Sequence, residues 1–484
     1  SSIIPCVRNA NGSGHEQRRQ TDGPGKDEVN RMNDFRKTAQ EMLEFIRISP
    51  TCFHAVANIG RMLEAAGFQQ LQEKEEWKLE KGGRYYTERN DSSVIAFVIP
   101  EKEVGIRGFH MAAAHSDSPC FKIKEKPELT VEEHYLRLNT EKYGGMILST
   151  WLDRPLSVAG RLAVKNGNGI EGRLVNIDRD LCVIPNVAIH MNREMNKGVE
   201  YNPQVDLLPL LADVSFDEYD THTTYDAQNA SENAEEQPET VEKPTLAALA
   251  AEAAGVDAET ILGEDLFLYT RQEGKMIGAK GEFVLSPRLD DLQSAFALTK
   301  AFTESTPAEY INLCAVFDNE EVGSGTRQGA DSTFLEDTLQ RITEGLQEGH
   351  STYLRWVADS FLISADNAHA VHPNHPEKAD PANRPYLNGG IVIKYHGSQK
   401  YTTDGISAAK MKDYCERAKV PYQTYANRSD IAGGSTLGNI STAHVSVSSV
   451  DIGLPQLAMH SAVETAGMKD TEYAVRALKE FWGE

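Results

Sequence analysis

The sequence predicts an α/β fold: a wound mixed sheet flanked by helices, with a mostly β insertion. Short apolar runs alternate with helical patterns in the first and last parts of the chain, and the middle lacks that alternation. Acidic and imidazole side chains gather at the ends of the apolar runs. Buried strands separated by helices indicate a sheet covered on both faces.

Residues 1–33 are polar, rich in Gly, Asn, Arg and Gln, and read as a disordered extension. Asp34 to Ala66 has helical periodicity, with Phe35, Met42, Leu43, Phe45 and Ile46 on one side and a break at Ser49-Pro50. Strands are expected at Ser93–Ile99, Gly108–His115, Phe283–Leu285, Ile311–Phe317, Phe361–Ala365, Gly390–Tyr395 and Val445–Ile452. Helices are expected at Asp291–Phe302, Leu335–Glu348, Ala408–Ala418 and Tyr473–Phe481. Residues 34–120 and 285–484 thus read as two parts of one wound domain. Residues 121–284 read as the insertion, because Leu162–Val164, Gly172–Ile177 and Val183–His190 are short and broken by Gly and Asn. Within it, residues 212–242 hold ten Asp or Glu and no Lys or Arg, the composition of a mobile surface loop. The Ala-rich Thr245–Ala254 that follows can form a helix.

At 484 residues the chain exceeds one typical core. Its formal charge of −23, from 49 basic and 72 acidic residues, opposes binding to nucleic acid or anionic membranes. The six cysteines never occur as C-x-x-C, which disfavours a zinc ribbon or a disulfide framework. No apolar run approaches the roughly 20 residues that cross a bilayer. A cytoplasmic location is expected.

Five distant segments place candidate ligands at strand ends: His115 with Asp117, Asp290 with Asp291, Glu320 with Glu321, Asp366, and His460. In open α/β sheets, ligands bind beyond the carboxyl ends of the strands, so such segments can converge. Each has a blander reading alone: a polar turn for His115, an N-cap for Asp290, a solvated acidic turn for Glu320, an ordinary histidine for His460. Alternation puts His115 and Asp117 on one side, where Asp117 can orient the imidazole. The adjacent glutamates repel unless a cation binds one, leaving the other to take a proton from water. Gly323 and Gly325 do not make a phosphate loop, since no lysine follows in the required place. Among His369, His372 and His375, a proline after each of the last two prevents presentation on one helix. His369 is therefore taken as a substrate contact beside Asp366, and His372 and His375 as structural. Mixed nitrogen and oxygen ligation suits Zn²⁺, Co²⁺ or Mn²⁺.

Six stretches carry a resemblance: Ala113-Ala-His-Ser-Asp-Ser-Pro-Cys120, Leu152-Asp-Arg-Pro-Leu156, Ser286-Pro-Arg-Leu-Asp290, Asp318-Asn-Glu-Glu-Val-Gly-Ser324, Ser364 to Pro373, and Pro455-Gln-Leu-Ala-Met-His-Ser461. In this order they resemble the aspartyl aminopeptidase family of dinuclear metallopeptidases, from about residue 34 to the end of the chain. The resemblance implies a zinc-peptidase-like catalytic domain in two parts (34–120 and 285–484) and a β-rich dimerisation domain at 121–284. It implies two divalent ions per subunit, with His115, Asp290, Glu321, Asp366 and His460 as ligands, Asp290 bridging, Glu320 as base and Asp117 orienting His115. It further implies substrate contacts from Lys394, Tyr401, His369 and, reaching from a neighbouring subunit, His190. The expected partners are peptides with a free N-terminus and other copies of the chain, assembled as a dodecamer of dimers.

Lys394 would then select an acidic first residue, Asp or Glu. Departures are the N-terminal extension, the acidic loop, and Asn367, which stands where relatives often carry an apolar residue beside the metal. Asp291 leaves open which aspartate bridges, and Asp153 is expected to be structural. Rival readings are a preference for neutral residues such as Leu and a catalytically degenerate shell protein. A paired-carboxylate glycosidase would leave His115 and His460 without a role.

Overall fold

The computed structural model describes residues 26–101, 105–214, 216, 245–434 and 436–484. The described residues open with helix Lys26–Arg47, a run without Gly or Pro, and turn at Ser49-Pro50 into helix Cys52–Ala65. Residues 26–33 are therefore helical rather than part of a disordered extension, and residues 1–25 lie outside the described residues.

Among the described residues, twelve strands form the larger sheet. Its centre is parallel, in the spatial order Tyr310–Phe317, Gly108–His115, Phe361–His369 and Ser448–Leu457. Antiparallel strands extend both sides: Ser93–Val98 and Arg84–Arg89 on one, Glu464–Gly467, Phe283–Ser286 and Lys275–Ile277 on the other. Strands Ile391–Tyr395 and Tyr422–Ala426 branch from Ser448–Leu457.

Every residue of Ser93–Val98, Gly108–His115 and Tyr310–Phe317 is buried, because helices cover both faces. Lys26–Arg47, Cys52–Ala65, Leu289–Thr303, Gly405–Arg417 and Asp470–Trp482 pack on one face. Phe334–Gly345, His350–Ala358 and Leu437–His444 pack on the other.

The insertion is a separate six-stranded sheet with its own core around Phe121, Leu138, Leu156 and Leu266. It runs from Cys120–Val131 to Ile261–Thr270. Residues 275–284, expected in the insertion, belong instead to the larger sheet, because Phe283–Ser286 pairs with Glu464–Gly467. Helix Leu246–Ala254, capped by the Thr245 hydroxyl, forms where the Ala-rich run predicts it. Most of the acidic stretch 212–242 lies outside the described residues.

Phe296, on helix Leu289–Thr303, is 4% exposed and packs its ring 5.7 Å from Phe45 of the first helix. This pair ties the N-terminal helix to the helix that begins at the site. Phe296→Ala should lower the unfolding free energy by roughly 3–5 kcal/mol in urea titrations; a loss below about 1 kcal/mol would mean that this contact does not anchor the first helix.

Candidate active site

The parallel strands splay where the site forms. Phe361–His369 pairs with Gly108–His115 only as far as Ser364 opposite Ala113, so Asp366, within its strand rather than past its end, faces a crevice. His115 ends the neighbouring strand, paired with Phe317. The next residues of that partner strand turn through Asn319, with φ of 60°, into Glu320–Val322. Asp290 lies in the first turn of Leu289–Thr303 with non-helical φ and ψ of −83° and 106°, and its peptide bond to Asp291 is cis. His460 follows Ser448–Leu457 in the left-handed region, at φ of 67°.

These five segments meet. His115 Nε2 lies 3.4 Å from Asp290 Oδ1, 3.8 Å from Asp366 Oδ1 and 3.8 Å from Glu320 Oε2. His460 Nε2 lies 3.2 Å from Asp290 Oδ2 and 3.3 Å from Glu321 Oε2. The two oxygens of Asp290 thus face different histidines. Asp291 faces away from this array: its Oδ2 accepts the His115 backbone N–H at 3.1 Å.

The histidine tautomers follow from the other ring nitrogens. His115 Nδ1 is 3.1 Å from the Asp117 carbonyl and 3.3 Å from its Oδ1, and His460 Nδ1 is 2.7 Å from the Gly145 carbonyl. Carbonyl and carboxylate oxygens accept, so both Nδ1 atoms donate, and Nε2 is the ring atom each histidine would offer to a cation once deprotonated there. His115 Nε2 and Asp290 Oδ1 are buried without a hydrogen-bond partner. Such orphaned ligand atoms fit divalent cations held by His115, Asp290 and Asp366 on one side and Asp290, Glu321 and His460 on the other.

The carboxylates also repel. Burial first, then Asp366, Glu321 and Asp290, push Glu320 up to about 9, against the opposing pull of His115. Burial and Asp290 push Glu321 up to about 7, with His460 opposing. Burial disfavours a charged His460, yet its bonds to Asp290 and Glu321 raise it to about 11. Without cations the array holds its charge by keeping protons.

A second layer fixes the first, and the sequence revealed only part of it. Asp117 does more than orient His115: its Oδ1 accepts the Glu320 N–H and its Oδ2 the Glu321 N–H, both at 3.1 Å. Tyr143, from the inserted sheet, donates to Asp117 Oδ2 at 2.7 Å and accepts from Asn319 at 2.9 Å. Glu464 was missed entirely. It accepts the backbone N–H of Asp290 at 3.0 Å and of His460 at 2.8 Å, joining the segments that carry these two side chains. The available signal was an acid four residues after His460, at the start of a short strand that is mostly buried.

Beside the array opens a pocket of about 480 Å³, lined by His369, Lys394, Tyr401, Tyr425, Thr436 and Met459 among others. Lys394 is 2% exposed, not the exposed strand lysine that periodicity alone allows. Its Nζ stands 3.8 Å from Asp366 Oδ2 and 5.5 Å from the centre of the Tyr401 ring. Burial works against its proton, but Asp366, Tyr401 and Asp451 hold it above its ordinary value. Glycine at 453 makes room for it, since a Cβ there would meet Lys394 Cε at 2.7 Å and the Asp366 carbonyl at 2.6 Å.

Asn367 is among the residues lining this pocket, and its Nδ2 donates to Gln293 Oε1 at 2.8 Å and to the Leu454 carbonyl at 3.2 Å. His372 and His375 form an isolated β-bridge away from the array. His190 lies on an exposed loop of the insertion and is absent from this chain's own pocket.

A family model described as Aminopeptidase I zinc metalloprotease (M18) matches residues 45–482. A probable M18 family aminopeptidase 2 of Clostridium novyi is 47% identical over 448 residues, covering 92% of this chain and 98% of its own length. Another, from Pseudomonas putida, is 40% identical over 441 residues, covering 91% and 97%. Among solved structures, the cryo-EM structure of the Ape4 and Nbr1 complex matches with a TM-score of 0.85 at 37% identity, over 93% of this chain and 86% of that one. The S. cerevisiae mApe1 dodecamer matches with a TM-score of 0.75 at 25% identity, over 93% and 97%. The chain belongs to the M18 family of zinc metallo-aminopeptidases.

Proposed function

We propose that this aminopeptidase releases N-terminal Asp or Glu from peptides, using two divalent cations bridged by Asp290 and Glu320 as general base. The observation that carries this reading is the facing of the two Asp290 oxygens toward different histidines, beside a buried lysine. His115, Asp366 and Asp290 would hold one ion, and His460, Glu321 and Asp290 the other. Zinc is the identity that the family description favours. When bound, such ions make water more acidic and polarise a carbonyl.

The acidic rim receives the free ammonium of the peptide, and Lys394 pairs with the carboxylate of the first side chain. Glu320, its carboxylate within reach of His115 but not needed as its ligand, takes a proton from the attacking water. It then passes that proton to the departing amide nitrogen. Asp117 keeps His115 and the Glu320–Glu321 turn in register. His369 and Tyr401 line the substrate side chain's pocket.

His190 would act on a neighbouring copy, steadying the oxyanion. Its loop exposes Val187, Ile189 and Met191, a surface suited to burial in an assembly. A homo-oligomer built from dimers, as large as a dodecamer, is part of the proposal; one M18 relative is a dodecamer by its description. A reducing, cytoplasmic setting is proposed as well, supported by five free cysteines among the described residues.

A preference for neutral residues is the second reading. It is favoured by the closeness of Lys394 to Asp366, which could occupy its charge within the protein.

Glu320→Gln should reduce kcat by about 10²–10⁴-fold while metal content stays at the wild-type level; loss of metal would mean that Glu320 is a ligand. Lys394→Leu should cost about 100-fold in kcat/KM on Asp-peptides and little on Leu-peptides. Equal losses on both would overturn the acidic preference in favour of the second reading. Thermal melts test the electrostatics. Glu320 and Glu321 have folded values of about 9 and 7 against an ordinary 4.5, so the metal-free fold binds more protons than the unfolded chain between those limits. Chelated protein should therefore lose stability as pH rises from about 4.5 to 9, more steeply than zinc-loaded protein. Parallel curves for the two forms would mean that cations do not replace those protons.

A further inference from the structure

Asp153 stands between the short helical turn Leu148–Trp151 and strand Leu156–Asn166, with its backbone in the left-handed region at φ of 58°. Asp adopts that region more readily than most residues. There the residue turns three groups toward one neighbouring segment. Its N–H donates to the Ile184 carbonyl at 2.9 Å. Its Oδ1 accepts the Asn186 N–H at 2.9 Å and its Oδ2 accepts Asn186 Nδ2 at 2.6 Å.

Asn186 is the last fixed point before the loop that carries His190. Val187, Ile189 and Met191 are 50%, 45% and 83% exposed. The hydrogen bonds of 187–192 among the described residues stay within the loop: Met191 and Asn192 donate to the Ala188 carbonyl, and Met195 donates to that of Asn192. Residues 187–192 thus form a small self-bonded unit projecting from the inserted sheet. Its direction is set at its base, where Asp153 grips Asn186 through both backbone and side chain. A carboxylate accepting two parallel N–H groups fixes orientation as well as distance.

We propose that Asp153 is a positioning residue for the reaction: it aims the loop that delivers His190 to the active site of a neighbouring copy of this chain. The inference rests on the reading that His190 acts in trans. Asp153 touches neither substrate nor cation. Its effect passes through the aim of His190, and small misplacements of a reacting group cost rate steeply.

The test uses the zinc-loaded, assembled protein and six variants: His190→Ala, Asp153→Ala, Asn186→Ala, Glu320→Gln, and His190→Ala combined with Asp153→Ala (the double variant) or with Asn186→Ala. Asp153→Ala should lose on the order of 10- to 100-fold, mainly in kcat. The double variant should be no slower than His190→Ala. Asp153→Ala refolded together with Glu320→Gln should recover part of the activity, because in mixed contacts an Asp153→Ala site receives a correctly aimed His190 from a Glu320→Gln copy.

Wild-type activity in His190→Ala would defeat the trans reading, and this inference with it. Loss in His190→Ala with none in Asp153→Ala would overturn the positioning role alone. So would a double variant slower than His190→Ala by the full Asp153→Ala factor, or mixed assemblies without recovery. Should Asp153→Ala fail to assemble, Asn186→Ala decides, since it removes only the contact to Oδ2. A several-fold loss that vanishes in the His190→Ala background supports the clamp, and the same loss in both backgrounds refutes it.

Discussion

The site is organised around one carboxylate. Asp290 lies buried between two imidazoles from opposite ends of the chain, with one oxygen toward each. A side chain in that position needs positive charge on both sides, because an ionised carboxylate in the interior is costly when unpaired. The histidines alone supply that charge only when protonated, and Glu320, Glu321 and Asp366 add negative charge beside them. Divalent cations would resolve the conflict, since each would replace protons and neutralise several oxygens at once. Much of the surrounding structure holds Asp290 and its two histidines in place: Glu464 across the backbones of Asp290 and His460, Asp291 on the His115 amide, and the Gly145 carbonyl on His460.

The inserted sheet belongs to the chemistry as much as to assembly. Tyr143 reaches from it to Asp117, which in turn holds both the first histidine and the glutamate turn. This relay is one of the hydrogen-bonded links between two separately packed cores, alongside that of His460 with the Gly145 carbonyl. On the far side of the same insertion, Asp153 and Asn186 set the base of an exposed loop. One domain thus supports its own site and presents groups outward.

The candidate ligand set was legible because its members lie at or near the carboxyl ends of apolar strands, Asp366 within its strand and the others at or past an end, and the carboxyl ends of parallel strands share one rim. His115, Asp290, Glu320, Glu321, Asp366 and His460 all come together there. Lys394 was ambiguous, because strand periodicity cannot tell a solvent-facing lysine from one buried beneath a tyrosine ring. Glu464 was illegible for a different reason: its carboxylate accepts from backbone N–H groups, and such donors carry no motif. The insertion's end was misjudged at 275–284 because pairing with Glu464–Gly467, nearly two hundred residues away, decides to which sheet Phe283–Ser286 belongs. Residues 26–33 were misjudged because their polarity outweighed the absence of helix breakers.

The most direct test is an anomalous difference map at the zinc edge from crystals of the zinc-loaded protein. Two peaks about 3.5–4 Å apart are expected, one among His115, Asp290 Oδ1 and Asp366, the other among His460, Asp290 Oδ2 and Glu321. A single peak, or a pair that leaves Asp290 touching only one ion, would contradict the bridging role on which the site is built.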